Sequence, residues 1–494
     1  MGVVKKVVIV GGGTSGWMAA AALSKASRIH QLDITLIESS QIGTIGVGEG
    51  STPYLKRFMD ALGFVESDWM SRCDASYKTG IYFDNWNGAG SRYFHPFYSA
   101  LDVKPAEIFF HCANARRRGV GAHITGDEFF ISGHLAKLQR SPKAEKPLTA
   151  EPEYGYHFDA AKLAKVLKDY ALNAGVSHAF DDVLDANLTE NGDIESLHLV
   201  SGDDMSADLF VDASGFQSIL IEKALKVQFE SFSKELANDS AVAISTARDE
   251  TKQPENYTIS KALSAGWMWQ IPLTSRTGNG YVYSSNHLTE AEAESELAAE
   301  LNIDVEQAKF KHLKMRVGMR RTPWVKNVLA IGLSHSFIEP LEATALMVTQ
   351  WGIESFIKAL DKDQADIEEV KNKYNQQMTQ LVLGVKEYIH GHYVTSQRRD
   401  TAYWQQVSSE QYLAPRLAKI LSCWRKGEDF DALLYQLDAE LAYFSPSWYA
   451  LLAGMDYRDS ELKLAHEPLD NQLVLQAKLH CENVAKAYFR PLPG

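Results

Sequence analysis

The chain opens on an apolar run, VVKKVVIV (3–10), of the kind carried by a strand buried on both faces. A glycine turn follows, and the apolar and small residues from Trp17 to Leu23 then predict a helix. LDITLIES (32–39) predicts a second strand. Strand, helix and strand at this spacing predict a β-α-β unit with parallel strands and a right-handed crossover. The Gly-rich stretch IGTIGVGEGSTP, within 40–53, predicts a loop, and the Lys-, Pro- and Glu-rich residues 141–153 predict a surface loop. A helix is expected over about 159–174, leading to short strands that end in DLFVDASG (208–215). Residues 240–285 alternate as sheet strands do, and VLAIG (328–332) predicts another strand before a long helix from about 343. Apolar residues at three-to-four spacing make 352–390, 410–425 and 468–488 helical. No internal repeat is visible. The expected organisation is an α/β body with an inserted sheet over 1–350 and a helical C-terminal unit over 351–494.

A chain of 494 residues is long enough for two or three packed units. Its net charge of -13 gains no counterion-release energy from a phosphate backbone, so no nucleic acid partner is expected. The one dense basic cluster, Arg116-Arg117-Arg118, is expected to be a solvated helix face. Cys73, Cys112, Cys423 and Cys481 are widely scattered and form no C-x-x-C pair, which predicts neither disulfides nor a metal site and fits a reducing cytoplasm. Val7 to Val10 ends in glycines and does not read as a signal peptide, Lys6 breaks the myristoylation pattern, and no run of 18 apolar residues predicts a membrane span. His390 and His392, two apart on a helix, point to different sides and are expected to be structural, so no metal is expected.

Gly11, Gly13 and Gly16 in GGGTSG (11–16) fit G-x-G-x-x-G between a strand and a helix. Glycine suits a tight turn, a close approach to a pyrophosphate and close helix–strand packing, while the N–H groups of Thr14 and Ser15 open a helix toward phosphate. Glu38 ends the next strand at the distance where an acid grips ribose hydroxyls. VDASG (211–215) and NVLAIG (327–332), the latter ahead of EPLE (339–342) and a helix, favour FAD over NAD in the style of flavoproteins. The Asp that often follows Gly332 in that pattern is replaced by Leu333 and Ser334. No second G-x-G-x-x-G follows a strand, so reduced flavin is expected to come from a separate reductase.

Six segments, in order, resemble the flavin-dependent halogenases of the tryptophan-halogenase family: GGGTSGW (11–17), GVGEGSTP (46–53), YKTGIYFDNW (77–86), YFHPF (93–97), WMWQIP (267–272) and EPLEATA (339–345). The resemblance implies an FAD-binding Rossmann-like body of the glutathione reductase/hydroxybenzoate hydroxylase type, with an inserted β-sheet and a helical C-terminal unit. It also implies a two-component reaction in which reduced FAD and O2 form a flavin hydroperoxide. Chloride or bromide attacks that species to give hypohalous acid, which travels to a separate pocket. Lys78 would hold or activate it there, as a haloamine or by hydrogen bonding, and Glu342 would position the electrophile or take the ring proton. Gly48 would join the FAD-binding residues, Thr344 and Ala345 would bind halide, and His95 and Phe97 would sandwich an indole. Trp267, Trp269, Ile271 and Pro272 carry the W-x-W-x-I-P motif.

Hypohalous acid is indiscriminate in water, so a dry passage and one directing amine would supply both protection and regiochemistry. Where the family commonly has Ser-Thr-Gly, this chain has Ala343-Thr344-Ala345. The tyrosine pair and glutamate that grip free tryptophan in the family are not found near 428–445; Tyr435, Glu440 and Tyr443 stand in another arrangement, with Tyr443 kept as a substrate contact. The aromatic substrate is therefore expected to be an indole or phenol other than free tryptophan. A homodimer is left open. The alternatives are a flavin-dependent aromatic hydroxylase, which would not need Lys78, and a non-catalytic flavin binder, which would leave Lys78, W-x-W-x-I-P and EPLEATA unexplained.

Overall fold

The computed structural model describes residues 4–41, 48–360, 367–465 and 470–492, so the start of GVGEGSTP and residues 361–366 of the expected helix 352–390 lie outside the described residues. The chain divides into two compact units, each assembled from three segments. The first unit comprises Met1–Ala75, Phe158–Ser233 and Arg316–Leu383; the second comprises Ser76–His157, Lys234–Met315 and Gly384–Gly494.

In the first unit, Lys6–Val10 is the centre of a six-stranded sheet. Asp33–Glu38 and then Ser177–Phe180 pair parallel on one side of it, and Leu209–Asp212 and then Val328–Ala330 on the other. Trp324–Val325 closes the edge antiparallel. Val7, Val8 and Ile9 are fully buried, as expected of a parallel strand covered on both faces. Val8, Val10, Ile37, Phe210 and Val328 share one core cluster. The helix Thr14–His30 follows the central strand and packs on Ala160–Asn173. It is longer than its apolar run because Ser24, Lys25 and Ser27 extend it in polar residues. The carboxyl ends of the parallel strands bring Gly11, Glu38, Ala213 and Ile331 to one side of the sheet, where such folds bind ligands.

The second unit is built on a seven-stranded sheet in the order Lys311–Lys314, Ser240–Ala247, Arg276–Tyr283, Gly266–Pro272, Thr258–Ala262, Gly80–Asp84 and Arg92–Pro96. All neighbours are antiparallel except Thr258–Ala262 with Gly80–Asp84. The later part of Ile367–Val394 belongs here, with Pro415–Arg425, Phe430–Leu437, Ser445–Gly454 and Asn471–Tyr488. Trp86 is fully buried, donates to Ser260 O at 3.1 Å and meets the rings of Tyr393 and Trp404.

Three expectations are corrected. The Gly-rich stretch over 40–53 is not loop throughout, since Gly48–Gly50 is a short strand. Residues 141–153 are not loop throughout: Arg140–Ala144 is a strand paired antiparallel with Phe489–Pro491. Lysines and Pro142 marked the stretch as solvent-facing, but proline and charge are also what an edge strand tolerates. Nor is the arginine cluster wholly solvated. Arg117 is buried and donates to Cys423 O (3.2 Å), Trp424 O (2.9 Å) and Glu428 O (2.6 Å), with its guanidinium over the Trp424 ring. The last carbonyls of Pro415–Arg425 have no intrahelical partners; the N–H groups of Glu428 and Gly427 donate to Cys423 O and Trp424 O, and the arginine adds a second donor to each. Burial brings this guanidinium down to about 10, so it remains charged at neutral pH.

Candidate functional site

The glycine turn forms a cradle. Gly11 has φ +117°, and a Cβ there would collide with the Ala213 carbonyl, so only glycine suits the turn. A Cβ on Gly13 would meet nothing within 4 Å. The helix that begins at Thr14 has no side-chain cap and no acid in its first turn. Its leading N–H groups therefore have no acceptors within the helix, and the positive end of the helix is suited to a pyrophosphate. Beside it, Glu38 Oε2 accepts from Lys168 Nζ (3.1 Å) and His178 Nε2–H (3.0 Å), while Oε1 lies on the Gly12 side. One oxygen is held by two donors and the carboxylate stands against the turn, the place where an acid can meet a ribose diol. These residues fit a dinucleotide such as FAD.

Ser334, standing where flavoproteins often have Asp, has its own role. Its Oγ lies 3.0 Å from both Asp212 Oδ1 and Gly215 O. Asp212 is fully buried and accepts from the N–H groups of Leu220 and Ile221 at 2.8 Å and from Ser214 Oγ at 2.6 Å. The two flavoprotein-like segments are thus tied through one carboxylate. Gly332 has φ +57° and backs onto Ser15. Glu49, in the short strand Gly48–Gly50, is pushed up to about 7 by burial and then by the nearby charge of Asp159.

EPLEATA is a single tight turn, Pro340–Glu342, followed by Ala343 in the left-handed region (φ +57°) and the helix Ala345–Leu360. Glu339, Glu342 and Thr344 are buried. The first-turn N–H groups from Ala345 onward have no intrahelical acceptors, the usual setting for a small anion.

In the second unit, the strand Ser76–Lys78 pairs antiparallel with the strand Gly155–Asp159, placing Lys78 opposite Gly155. Lys78 is fully buried, with Nζ 5.5 Å from the centre of the Phe97 ring. The next residue, Thr79, donates from N (2.7 Å) and Oγ1 (2.9 Å) to Asn256 O. His95 is buried, with Nε2 3.2 Å from the Tyr388 hydroxyl. That hydroxyl donates to Ser447 O at 2.8 Å. A phenol has one proton and the carbonyl can only accept, so His95 donates from Nε2–H to Tyr388. Tyr443 stacks on the Tyr388 ring at 3.7 Å and 14°, and Trp448 meets that ring edge-on at 4.9 Å. Trp267 and Trp269 are buried 6.2 Å apart, with Ile271 also buried, and the Pro272 carbonyl accepts from Ser76 Oγ at 2.6 Å. His390 and His392 are buried, and no group of three His, Cys, Asp or Glu among the described residues is placed to hold a metal.

A sequence profile described as tryptophan halogenase matches residues 6–469. The chain belongs to the tryptophan halogenase family. It is similar to the 7-chloro-L-tryptophan 6-halogenase KtzR of Kutzneria sp. (strain 744), 36% identical over 440 residues covering 85% of this chain and 84% of that one. It is also similar to the tryptophan 7-halogenase RebH of Lentzea aerocolonigenes, 33% identical over 496 residues covering 94% and 93%. Among solved structures, BrvH, a flavin-dependent halogenase from Brevundimonas sp. BAL3, superimposes with a TM-score of 0.84 at 30% identity, covering 98% of this chain and 97% of that one. This halogenase is therefore a flavin-dependent enzyme that uses halide and acts on an aromatic ring, and its fold is the FAD-binding Rossmann-like one.

The structure brings His95 and Tyr443 to the same phenol, that of Tyr388, while Phe97 lies against Lys78. Tyr435 is not part of that group: it is 86% exposed on Phe430–Leu437. Glu440 is also exposed, 3.6 Å from Arg416. Sequence reasoning missed Tyr388. Its one signal is the i, i+4 spacing to His392, which marks a shared helix face and says nothing of the strand that carries His95.

Proposed function

We propose that this halogenase takes reduced FAD from a separate flavin reductase and halogenates an indole or a similarly electron-rich ring through Lys78. When bound, reduced FAD with O2 supplies the oxidising power that turns chloride or bromide into hypohalous acid. Gly11, Gly13, Thr14, Ser15, Gly16, Glu38, Gly48 and Gly332 would hold the cofactor, and the N–H groups of Thr344 and Ala345 would hold the halide. Lys78 receives the electrophile, as a haloamine when its amine is neutral or as a hydrogen-bond donor when charged. His95, Phe97 and Tyr443 present flat surfaces to the ring. Glu342 stabilises the cationic ring intermediate and accepts its proton.

The observation that carries this reading is the full burial of Lys78 beside an aromatic ring. A buried ammonium is costly, and a directing amine is a reason to keep one there. Tyr435 and Glu440 face solvent, which favours a neutral indole over free tryptophan. A zwitterion entering without partners would lose several kcal/mol of hydration. Bromide, less strongly hydrated and more easily oxidised, is expected to be accepted at least as well as chloride.

The test supplies the enzyme with a generic flavin reductase, equal indole and tryptophan, and equal chloride and bromide, and reads product masses. Halogenated indole is expected to dominate. An added oxygen in place of a halogen would make the enzyme a hydroxylase, and a preference for tryptophan would overturn the substrate reading. Lys78→Ala is expected to abolish halogenation while FAD binding and peroxide release persist. A variant that keeps about a tenth of the wild-type rate, only ~1.4 kcal/mol of barrier, with unchanged regiochemistry would remove Lys78 from the mechanism.

A further inference from the structure

Beneath Lys78 lies a polar relay that the reaction as proposed does not use. In the antiparallel pair that carries the lysine, Ser76 stands opposite His157 and Lys78 opposite Gly155. Residues two apart on a strand share a face, so Ser76, Lys78 and His157 project to the same side. Ser76 Oγ is 2.6 Å from Pro272 O and 3.2 Å from His157 Nδ1, and His157 Nε2 is 2.9 Å from Thr258 Oγ1. His157 is fully buried and Ser76 and Thr258 nearly so.

The polarity of this chain follows from one obligate acceptor. The Pro272 carbonyl can only accept, so the Ser76 proton points to it. Ser76 Oγ then accepts from His157 Nδ1–H, His157 Nε2 carries the lone pair, and Thr258 donates to it. Every atom is satisfied by a single tautomer of a neutral ring. Burial, and then the charge of Lys78, hold this imidazole well below the usual histidine range, in agreement with that state.

We propose that His157 is a positioning residue for Lys78: its hydrogen bonds to Ser76 and Thr258 tie the lysine's strand to Thr258–Ala262 and hold Ser76 on the Pro272 carbonyl, and so fix the direction of the amine. The proposal rests on the reading of Lys78 as the directing amine. His157 acts only through Lys78. On the other side of the lysine, Thr79 is fastened to Asn256 O by two hydrogen bonds, so the amine stands between two pinned residues. Thr258 belongs to a strand that pairs with both Gly80–Asp84 and Gly266–Pro272, so the relay joins the lysine's strand pair to two strands of the seven-stranded sheet. The last residue of W-x-W-x-I-P thereby acquires a role, because its carbonyl terminates the relay. A sidestep of about 1 Å by a reacting group is enough to cost up to ~100-fold in rate, which is why such a clamp has a catalytic readout.

The experiment uses full-length enzyme with a flavin reductase, bromide, indole and a diketone trap that captures escaped hypohalous acid. The quantity read is halogenated indole per halide oxidised, with FAD affinity and melting temperature measured on the same samples. His157→Phe keeps a ring and removes both hydrogen bonds. Its yield per oxidised halide is expected to fall about ten- to a hundredfold, the trap collecting the difference, with FAD affinity unchanged. His157→Asn keeps a donor toward Ser76 and is expected to recover part of the yield. Ser76→Ala, a smaller change, is expected to lose yield as His157→Phe does, and it carries the test if the phenylalanine variant fails to fold. Unchanged yield in these variants, whatever their melting temperatures, overturns the proposal. Equal losses in His157→Phe and His157→Asn overturn the assigned tautomer. Lys78→Ala runs alongside: if it also keeps full yield, the directing amine itself has been misassigned, whereas a low yield there with a normal His157→Phe removes only His157.

Discussion

Replacing Tyr388 by phenylalanine deletes one oxygen and leaves the aromatic framework in place. The ring still stacks on Tyr443 at 3.7 Å and still meets Trp448, so no cavity opens. The hydrogen bonds lost include the one given to Ser447 O at 2.8 Å and the one received from His95 at 3.2 Å. Ser447 lies within the helix Ser445–Gly454, whose ladder continues to serve its carbonyl. The main loss falls on His95, a buried donor, at about 1–3 kcal/mol of stability. With its Nε2–H unanchored, the imidazole has to be ordered again each time a ring binds, which costs about 0.5–1.5 kcal/mol. That predicts a KM for indole raised roughly 3- to 10-fold, with a smaller change in kcat because Lys78 is untouched. Thermal melting and steady-state kinetics on one preparation separate the two effects. If stability drops as expected but KM stays within twofold of wild type, Tyr388 supports the fold alone, and the assigned role of His95 in holding the substrate falls with it.

Glu342→Gln keeps the shape and removes the charge, and it is expected to slow indole halogenation while FAD affinity stays unchanged; an unaltered rate would leave Glu342 as a turn residue. Gly332→Ala forces a side chain into a left-handed backbone at about 1–2 kcal/mol and against Ser15, so FAD affinity by fluorescence titration is expected to weaken; unchanged affinity would take this turn out of the cofactor site. Glu49 is raised in the folded state from 4.5 to about 7, so its contribution is fully present below pH 4.5 and is lost as pH climbs through 7. Glu49→Gln should therefore flatten the fall in apoprotein stability between pH 4.5 and 7 in denaturant titrations, and an identical fall in both proteins would show that Glu49 is not strained by its burial.

The fold was legible where burial on both faces leaves a short stretch rich in β-branched apolar residues. VVKKVVIV and LDITLIES became the strands Lys6–Val10 and Asp33–Glu38 because their stretches rich in β-branched residues, Val7–Val10 and Ile34–Ile37, suit parallel strands covered on both faces. Helix ends were less visible, since apolar spacing marks a helix's buried face and ends where that face does. Arg117 shows the limit of composition: three adjacent arginines look solvated until the end of a second helix presents its carbonyls to the middle one. At the site, Lys78, His95 and the glycine turn could be singled out because they sit in short contiguous motifs. Tyr388 stands 293 positions from His95, and the hydrogen bond between them is a property of tertiary packing alone. His157 was hidden for a related reason, since a histidine in the strand GYHFD carries no local sign that its ring spans the gap between Ser76 and Thr258.

The edge pairing of Arg140–Ala144 with Phe489–Pro491 imposes a timetable on the making of the protein. Arg140 donates to Phe489 O across 349 positions of chain. At about 5–20 residues per second, a ribosome needs roughly 20 to 70 s to travel that distance. For all of that time the earlier strand has emerged and its partner has not been made. Pro142, Lys143, Glu145 and Lys146 then serve a second purpose, because proline and alternating charge make an open edge a poor template for another nascent chain. The second unit, stitched from three segments, completes this pairing only after Phe489–Pro491 has left the ribosome. The exposed interval of Arg140–Ala144 is thus set by the rate of elongation over the 349 positions to Phe489, and slower elongation lengthens it.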